Sequence, residues 1–216
     1  MRIYMLRHGE TDWNKAHRFQ GRIDIPLNDY GRELAVVTRD NWPIIPYDRV
    51  YCSPLCRASE TAHIVLAGRP EEAMIQIDER IIEFSFGVCE GLDIDEAGND
   101  PTHPMFNLLH HPEAYVPNEG GESFDDMIAR GRRFFEDEIF PLEKLGVEHI
   151  LIVAHGALIR ALVCALGLKT VKEFWKTPYK NCCLTTVDIF GGDATMVKEA
   201  ETFYDSTGCF GGWVMK

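Results

Sequence analysis

The spacing of hydrophobic positions changes several times along the chain, and each change predicts an element. Arg2 to Leu6 is a short apolar, β-favouring run that ends abruptly at Arg7-His8-Gly9, the pattern of a buried strand followed by a turn. Asn28 is placed to cap a short helix beginning near Asp29, and Pro43 and Pro46 close that region. Arg49 to Cys52 predicts a second strand. Ser53-Pro54 then reads as N-cap and first helical residue of a helix with Ala58, Ala62, Val65 and Leu66 on one face, stopping at Gly68. Ile75 to Ile77 predicts a third strand.

Periodicity fails from Phe84 to Gly121, a stretch holding Gly87, Gly91, Gly98, Pro101, Pro104, Pro112 and Pro117, which predicts an irregular excursion. Ser123 with Asp126 matches a capping box, and Ile128, Gly131, Phe135, Ile139 and Leu142 form a helical stripe that Pro141 should kink or end. Ile150-Leu151-Ile152-Val153 is the clearest buried strand. His155-Gly156 is the turn after it, and Ala157 to Leu166 forms an apolar helix stopped by Gly167. Leu184 to Phe190 and Thr195 to Glu199 predict a closing pair of strands around Gly191-Gly192-Asp193. Alternating strands and helices argue for an α/β fold with a mostly parallel sheet.

Length and composition narrow the function classes. The 216 residues fit one domain, 45% of them hydrophobic and 26% charged, enough apolar mass for a core. The formal charge of −12 disfavours nucleic acid or an anionic membrane as partner, and no apolar run approaches the ~20 residues of a membrane span. Only six residues precede the charged cluster at Arg7, so the N-terminus does not read as a secretory signal. Seven cysteines at irregular spacing then predict free thiols in the cytoplasm. Cys52 and Cys56 have no second ligand pair at matching spacing, so no metal site is expected. Cys182 and Cys183, adjacent on a predicted strand, should face opposite sides. His110-His111 read as surface histidines. The aromatic tail from Tyr204 to Lys216, with Phe203 beside it, is suited to cover the sheet or a partner subunit, which leaves a homo-oligomer open.

Three strand-to-helix junctions carry the chemistry: Arg7-His8-Gly9, Arg57 in the helix after the second strand, and His155-Gly156. In an open parallel sheet such junctions meet at the carboxyl ends of the strands, where ligands bind. Glu83, after another strand, reaches the same edge. A lone turn histidine is unremarkable, and so is a lone helix arginine. Two guanidiniums and two imidazoles at converging junctions instead make a basic island in an acidic protein, suited to a small dianion such as a phosphoryl group. A Gly directly after each His lets the backbone approach that ligand.

These residues also carry a resemblance. Leu6-Arg7-His8-Gly9-Glu10-Thr11 resembles the signature of the histidine phosphatase superfamily, the phosphoglycerate mutase-like fold. Further blocks are similar in family order: Asn14 and Phe19-Gln20-Gly21-Arg22 with Pro26-Leu27; Ser53-Pro54-Leu55 with Arg57-Ala58 and Glu60-Thr61-Ala62; Glu83 with Phe86-Gly87 and Glu90-Gly91; Gly121-Glu122-Ser123; and Ala154-His155-Gly156. The resemblance runs from Arg2 to about Val187. It implies a three-layer sandwich, a mostly parallel central sheet with helices on both faces, forming one domain over 1–216 in which the excursion at about 84–121 covers the substrate. It implies His8 as nucleophile, taking the phosphoryl group as phosphohistidine. Arg7, Arg57 and a protonated His155 would hold phosphate oxygens, with Asn14 assisting, and Gln20, Gly21 and Gly156 would line the site. Glu83 would protonate the leaving oxygen and then deprotonate water, giving a mildly acidic optimum. No cofactor or metal is called for, since phosphoryl transfer needs mainly positioning and charge.

The expected activity is hydrolysis of a small phosphorylated metabolite. A phosphoglycerate mutase shares the phosphohistidine but must hold a second anion. Between Arg80 and Arg130 there is no Lys or Arg, while acidic residues abound, and Phe84 stands directly after Glu83, where such mutases carry a basic residue. Arg18, Arg22 or Lys15 remain as sources of one charge. A non-catalytic phosphate-binding module would not need His8. A metal-dependent hydrolase is the fourth alternative, separable by EDTA. Phe86, Phe106 and Tyr115 are candidates to pack against a sugar or ring.

Overall fold

The computed structural model describes residues 1–205. Among these residues six strands form, the last of them largely polar: β1 (Arg2–Arg7), β2 (Arg49–Cys52), β3 (Ile75–Ile77), β4 (His149–Ala154), β5 (Leu184–Phe190) and β6 (Asp193–Glu201). They make one sheet in the order β3-β2-β4-β1-β5-β6. The pairs β1–β4, β2–β4 and β2–β3 are parallel, while β5 adds antiparallel to β1 and β6 antiparallel to β5. The helices are α1 (Asp12–Lys15), α2 (Asp29–Asn41), α3 (Cys56–Leu66), α4 (Ile94–Asn99), α5 (Phe106–His110), α6 (Phe124–Phe134), α7 (Phe140–Lys144) and α8 (Gly156–Ala165).

The two-residue period of the strands divides the core. Tyr4, Leu6, Val50, Leu151 and Val153 pack on one face with Leu34 and Ala35 of α2 and Ala58 and Ala62 of α3. Ile3, Met5, Ile150 and Ile152 face the other way, against Met127 and Phe134 of α6 and Leu158 and Leu162 of α8. Layers of helix, sheet and helix result, as the resemblance implied. Both β1 and β4 are apolar on both faces because both faces are covered. Truncating a fully buried residue such as Ile152 to Ala costs about 2–5 kcal/mol.

Several local expectations change. Ser53 is not an N-cap: α3 begins at Cys56 after Leu55, which makes no side-chain cap. The Ser53 hydroxyl is turned to His155 instead, as described below. The stretch 84–121 is not structureless, since α4 and α5 form there around Ile94, Ala97, Leu108 and Leu109, all buried. These helices are too short for periodicity to register. Ser123 does cap α6, accepting the Asp126 N–H, but the Asp126 carboxylate takes the Ser123 hydroxyl at 2.6 Å, and only half of a capping box forms. Pro141 does not end the long helix, which carries on to Lys144. A wide π-turn over Phe135–Ile139 precedes α7 and absorbs the ring.

Cys182 and Cys183 precede β5 rather than lying in it, yet they enter the two opposite core clusters. Of the C-terminal aromatic segment, Phe203 stacks on Trp42 at 5.9 Å between ring centroids, covering the α2 side of the sheet. Phe210 and Trp213 lie outside the described residues.

Candidate active site

Strand register builds the site. Arg7 pairs with Ala154, and Cys52 with Val153, so His8, Ser53 and His155 leave neighbouring strands at the same edge. The His8 and His155 rings stand 5.1 Å apart, centroid to centroid. The His8 peptide is held from several sides: its N–H donates to the Ala154 carbonyl, Gly9 N–H donates to Thr61 Oγ1, the Thr61 hydroxyl donates to the Arg57 carbonyl, and Asn181 Nδ2 bonds the carbonyls of His8 and Gly9.

A cavity opens at this edge. Among the expected residues, Arg7, His8, Asn14, Gln20, Gly21, Arg57, Glu83 and Gly156 all line it. His155 does not reach its wall. It is fully buried behind, with Nε2 2.6 Å from Ser53 Oγ and Nδ1 without a partner.

His8 Nδ1 lies 2.6 Å from the Gly9 carbonyl oxygen. A carbonyl only accepts, so Nδ1 carries the proton and the Nε2 lone pair is free. Burial, reinforced by Arg57 and Arg7, pushes the His8 pKa well below its ordinary value, which favours the neutral ring. His155 is pushed down by the same burial, with Arg57, His8, Arg130 and Arg7 adding to it. Burial therefore disfavours the protonated His155 that the resemblance implies.

The arginines bond main-chain carbonyls rather than carboxylates. Arg7 Nη1 donates to the Tyr179 carbonyl, and Arg57 reaches those of Ile23 and Gly21 at 2.9 and 2.8 Å. Each keeps a buried Nε without a partner. Carbonyls satisfy the donors without neutralising the charge, so the cavity stays electropositive. Gly156 matters by size, because a Cβ there would come within 3.2 Å of Arg7 Nε. Gly9 was expected to let a ligand approach, and its reason is different: a Cβ would lie 2.5 Å from the Gly31 carbonyl, so it serves the packing of α2.

Both oxygens of Glu83 are held by main-chain donors. Oε1 accepts from Phe84 and Leu158 at 2.9 Å, and Oε2 accepts more loosely from Ala157 at 3.3 Å. The carboxyl group thus sits at the first turn of α8, beside the nucleophile's cavity. Arg130 fixes the main chain here, bonding the carbonyls of Ile82 and Glu83 while a two-pronged pair with Glu122 holds its guanidinium. Asn14 Oδ1 accepts from the Thr11 N–H and from Asn181, which leaves its amide donors for the cavity. Gln20 Oε1 takes the Thr11 hydroxyl at 2.9 Å.

The profile of the histidine phosphatase superfamily, branch 1, matches residues 3–202. The chain belongs to this superfamily. Relatives within it include an uncharacterized phosphatase, PhoE, of Bacillus subtilis, 31% identical over 86% of this chain and 87% of its own length. A 2,3-bisphosphoglycerate-dependent phosphoglycerate mutase of Gloeobacter violaceus is 30% identical over 83% and 82%. Among solved structures, Bacillus stearothermophilus YhfR superposes with a TM-score of 0.81 at 30% identity, covering 93% of this chain and 97% of the other.

For this histidine phosphatase, much of the remaining wall is apolar, from Phe19, Phe86, Ile94, Leu108, Leu109 and Trp175, with Arg18 and Arg160 also lining it. Of the aromatics expected to meet substrate, only Phe86 reaches it. Phe106 stacks on His110 at 4.3 Å, and Tyr115 is buried against Phe84 and Phe124. His110 is not a plain surface residue, since its Nε2 lies 2.8 Å from the Gly98 carbonyl. Arg18 is the one rim cation of the three candidates that lines the cavity, and its Nη1 bonds the Gly91 carbonyl. Arg22 is engaged by Glu122 and by the Glu83 carbonyl.

Sequence reasoning missed Ser53 as the partner of His155, and it missed Asn181, Trp175 and Arg160. Only Arg160 left a signal: it is the single charge in the apolar run Ala157-Leu158-Ile159-Arg160-Ala161-Leu162-Val163.

Proposed function

We propose that the protein hydrolyses phosphomonoesters of a small metabolite through a phosphohistidine on His8. The observation that carries this reading is the Nδ1–Gly9 carbonyl contact, which leaves Nε2 unprotonated in a cavity flanked by Arg7 and Arg57. In the first step Nε2 attacks phosphorus and the bond to the substrate's alcohol oxygen breaks. Glu83 gives that oxygen its proton, from Oε2, the less engaged atom. In the second step water attacks the phosphohistidine, its proton passes to Glu83, and inorganic phosphate leaves. The guanidiniums bear the charge on the equatorial oxygens, and this chain's residues supply the whole step without a metal.

Ser53 fits as a positioning residue. If its hydroxyl donates to His155 Nε2, the proton on that neutral ring lies on Nδ1, a buried atom without a protein partner. The apolar wall favours an alcohol half without a second anionic group. Free thiols at Cys52, Cys56, Cys89, Cys164, Cys182 and Cys183 support action in the reducing cytoplasm. Among the described residues no helix is long and apolar enough to cross a membrane.

The test is an acid-sensitive label. Mixing with a ³²P-labelled monoester and quenching in alkali should leave label on the protein, lost in acid and absent from a folded His8→Ala variant. Turnover of the His8→Ala variant at the wild-type rate would remove the assignment.

A further inference from the structure

Arg160 has no place in the chemistry above, and its surroundings are unusual for an arginine. It lies in α8, one turn after Gly156, and is 5% exposed. Nη1 donates to the Gly156 carbonyl at 2.8 Å and Nη2 to the Thr177 carbonyl at 2.9 Å. Nε is buried without a partner, and the side chain lines the cavity. The guanidinium carbon stands 4.2 Å from the Tyr179 ring centroid and 5.1 Å from that of Trp175. Both rings present their π systems to the charge. Burial lowers the Arg160 pKa only to about 10, so it stays charged at neutral pH.

Two paths lead from Arg160. The Tyr179 ring it contacts belongs to the residue whose carbonyl accepts from Arg7. Trp175 in turn donates from Nε1 to the Leu108 carbonyl of α5, at 2.5 Å. Arg160 therefore joins the phosphoryl end of the cavity to its apolar wall. Arg7 and Arg160 also converge on one point: a Cβ on Gly156 would lie 3.2 Å from Arg7 Nε and 3.4 Å from Arg160 Nη1. Two buried like charges held this close, and bonded to carbonyls alone, are stabilised by an anion between or beside them.

We propose that Arg160 is a third guanidinium of the phosphoryl cradle, a positioning residue that fixes Arg7 through the Tyr179 segment and adds its charge to the anion's cavity. The proposal rests on the reading of this cavity as a phosphoryl site. Arg7, Arg57 and Arg160 together bring three positive charges to it. Lysine would keep the charge at position 160, but one ammonium lacks the planar fork that spans Gly156 and Thr177 while facing two rings.

Orthovanadate and inorganic phosphate binding, measured by calorimetry on the wild type, Arg160→Gln and Arg160→Lys, tests this alongside kcat and KM for p-nitrophenyl phosphate. The fold is checked by thermal melting. Arg160→Gln is expected to weaken vanadate binding about 10- to 100-fold, the range for a hydrogen bond to a charged group. It should lower kcat/KM about 100-fold through misplacement of Arg7. Arg160→Lys should recover part of the anion affinity but little of the rate, and added guanidinium ion should raise the activity of Arg160→Gln.

Vanadate affinities within about threefold of wild type in the folded variants would overturn the proposal and leave Arg160 as packing. Should Arg160→Gln fail to fold, Arg160→Lys decides by the same threshold. A wild type that binds vanadate but turns over no monoester would sink the phosphatase reading instead, and the calorimetry would still judge Arg160.

Discussion

The Oγ of Ser53 lies 2.6 Å from Nε2 of His155, and both side chains are sealed from solvent. The contact crosses from the end of β2 to the end of β4, so the sheet register creates it. In Ser53→Ala the imidazole keeps its burial and loses its only side-chain hydrogen bond. We expect a stability loss of about 1–3 kcal/mol from the unsatisfied ring nitrogen. Turnover should fall about 10-fold or more as the tautomer loses its anchor. Chemical denaturation and p-nitrophenyl phosphate kinetics measure the two effects, and an unchanged rate would remove Ser53 from the site.

Glu83→Gln keeps an oxygen that can accept from Leu158 but gives up the transferable proton. Alkyl phosphates, whose leaving oxygen needs that proton, should slow about 10²–10⁴-fold. p-Nitrophenyl phosphate, with a stable leaving anion, should slow far less. Equal slowing of both substrates would transfer the acid role to another carboxyl group.

Burial, aided by Arg57 and Arg7, keeps His8 neutral in the folded chain to well below its ordinary pKa, and His155 behaves likewise. The unfolded chain binds protons on these rings below about pH 6.5, where the folded chain does not. Stability should therefore decline as pH falls through about 6.5, by about 1.4 kcal/mol per pH unit for each ring. His8→Asn should reduce the slope of unfolding free energy between about pH 6 and 5 by that amount. Identical slopes in the two proteins would contradict a neutral His8.

Phosphoglycerate should be a poor substrate, and isomerisation poorer still. Phe84, directly after Glu83, is 1% exposed and packs on Phe86 and Phe124. The cavity wall beyond the phosphoryl end is apolar, with Arg18 alone at the rim. A second anion near the carboxylates of 81–129 would be repelled by about 1 kcal/mol or more per close pair. Incubating 3-phosphoglycerate with catalytic 2,3-bisphosphoglycerate should release phosphate with little 2-phosphoglycerate. Isomerisation outrunning release would make the chain a mutase.

Much was legible in the sequence because it is written locally. An apolar run between polar breaks specifies a strand wherever both faces will be covered, and β2, β3, β4 and β5 fall where those runs lie. Arg7-His8 and His155-Gly156 could be read because each stands at a strand end, and the ends of neighbouring strands meet; Arg57 lies in the first turn of α3 and Glu83 follows a 3-10 turn beyond β3, and the resemblance marked both. Their chemistry depends on residue type at a junction, which is a local property.

Only the tertiary structure decided the rest, because it depends on which atoms of distant segments come within hydrogen-bond reach. Ser53 has a sequence context that suits an N-cap, and its choice of His155 follows from β2 pairing with β4 across about a hundred residues. Asn181 carries no motif, yet it bonds the carbonyls of His8 and Gly9. The burial that disfavours a charged His155 is not written in its sequence context, because desolvation is a property of everything packed around a ring. The same holds for Arg160: its solitary charge in an apolar helix was visible in the sequence, but its place beside Arg7, Tyr179 and Trp175 comes only from packing.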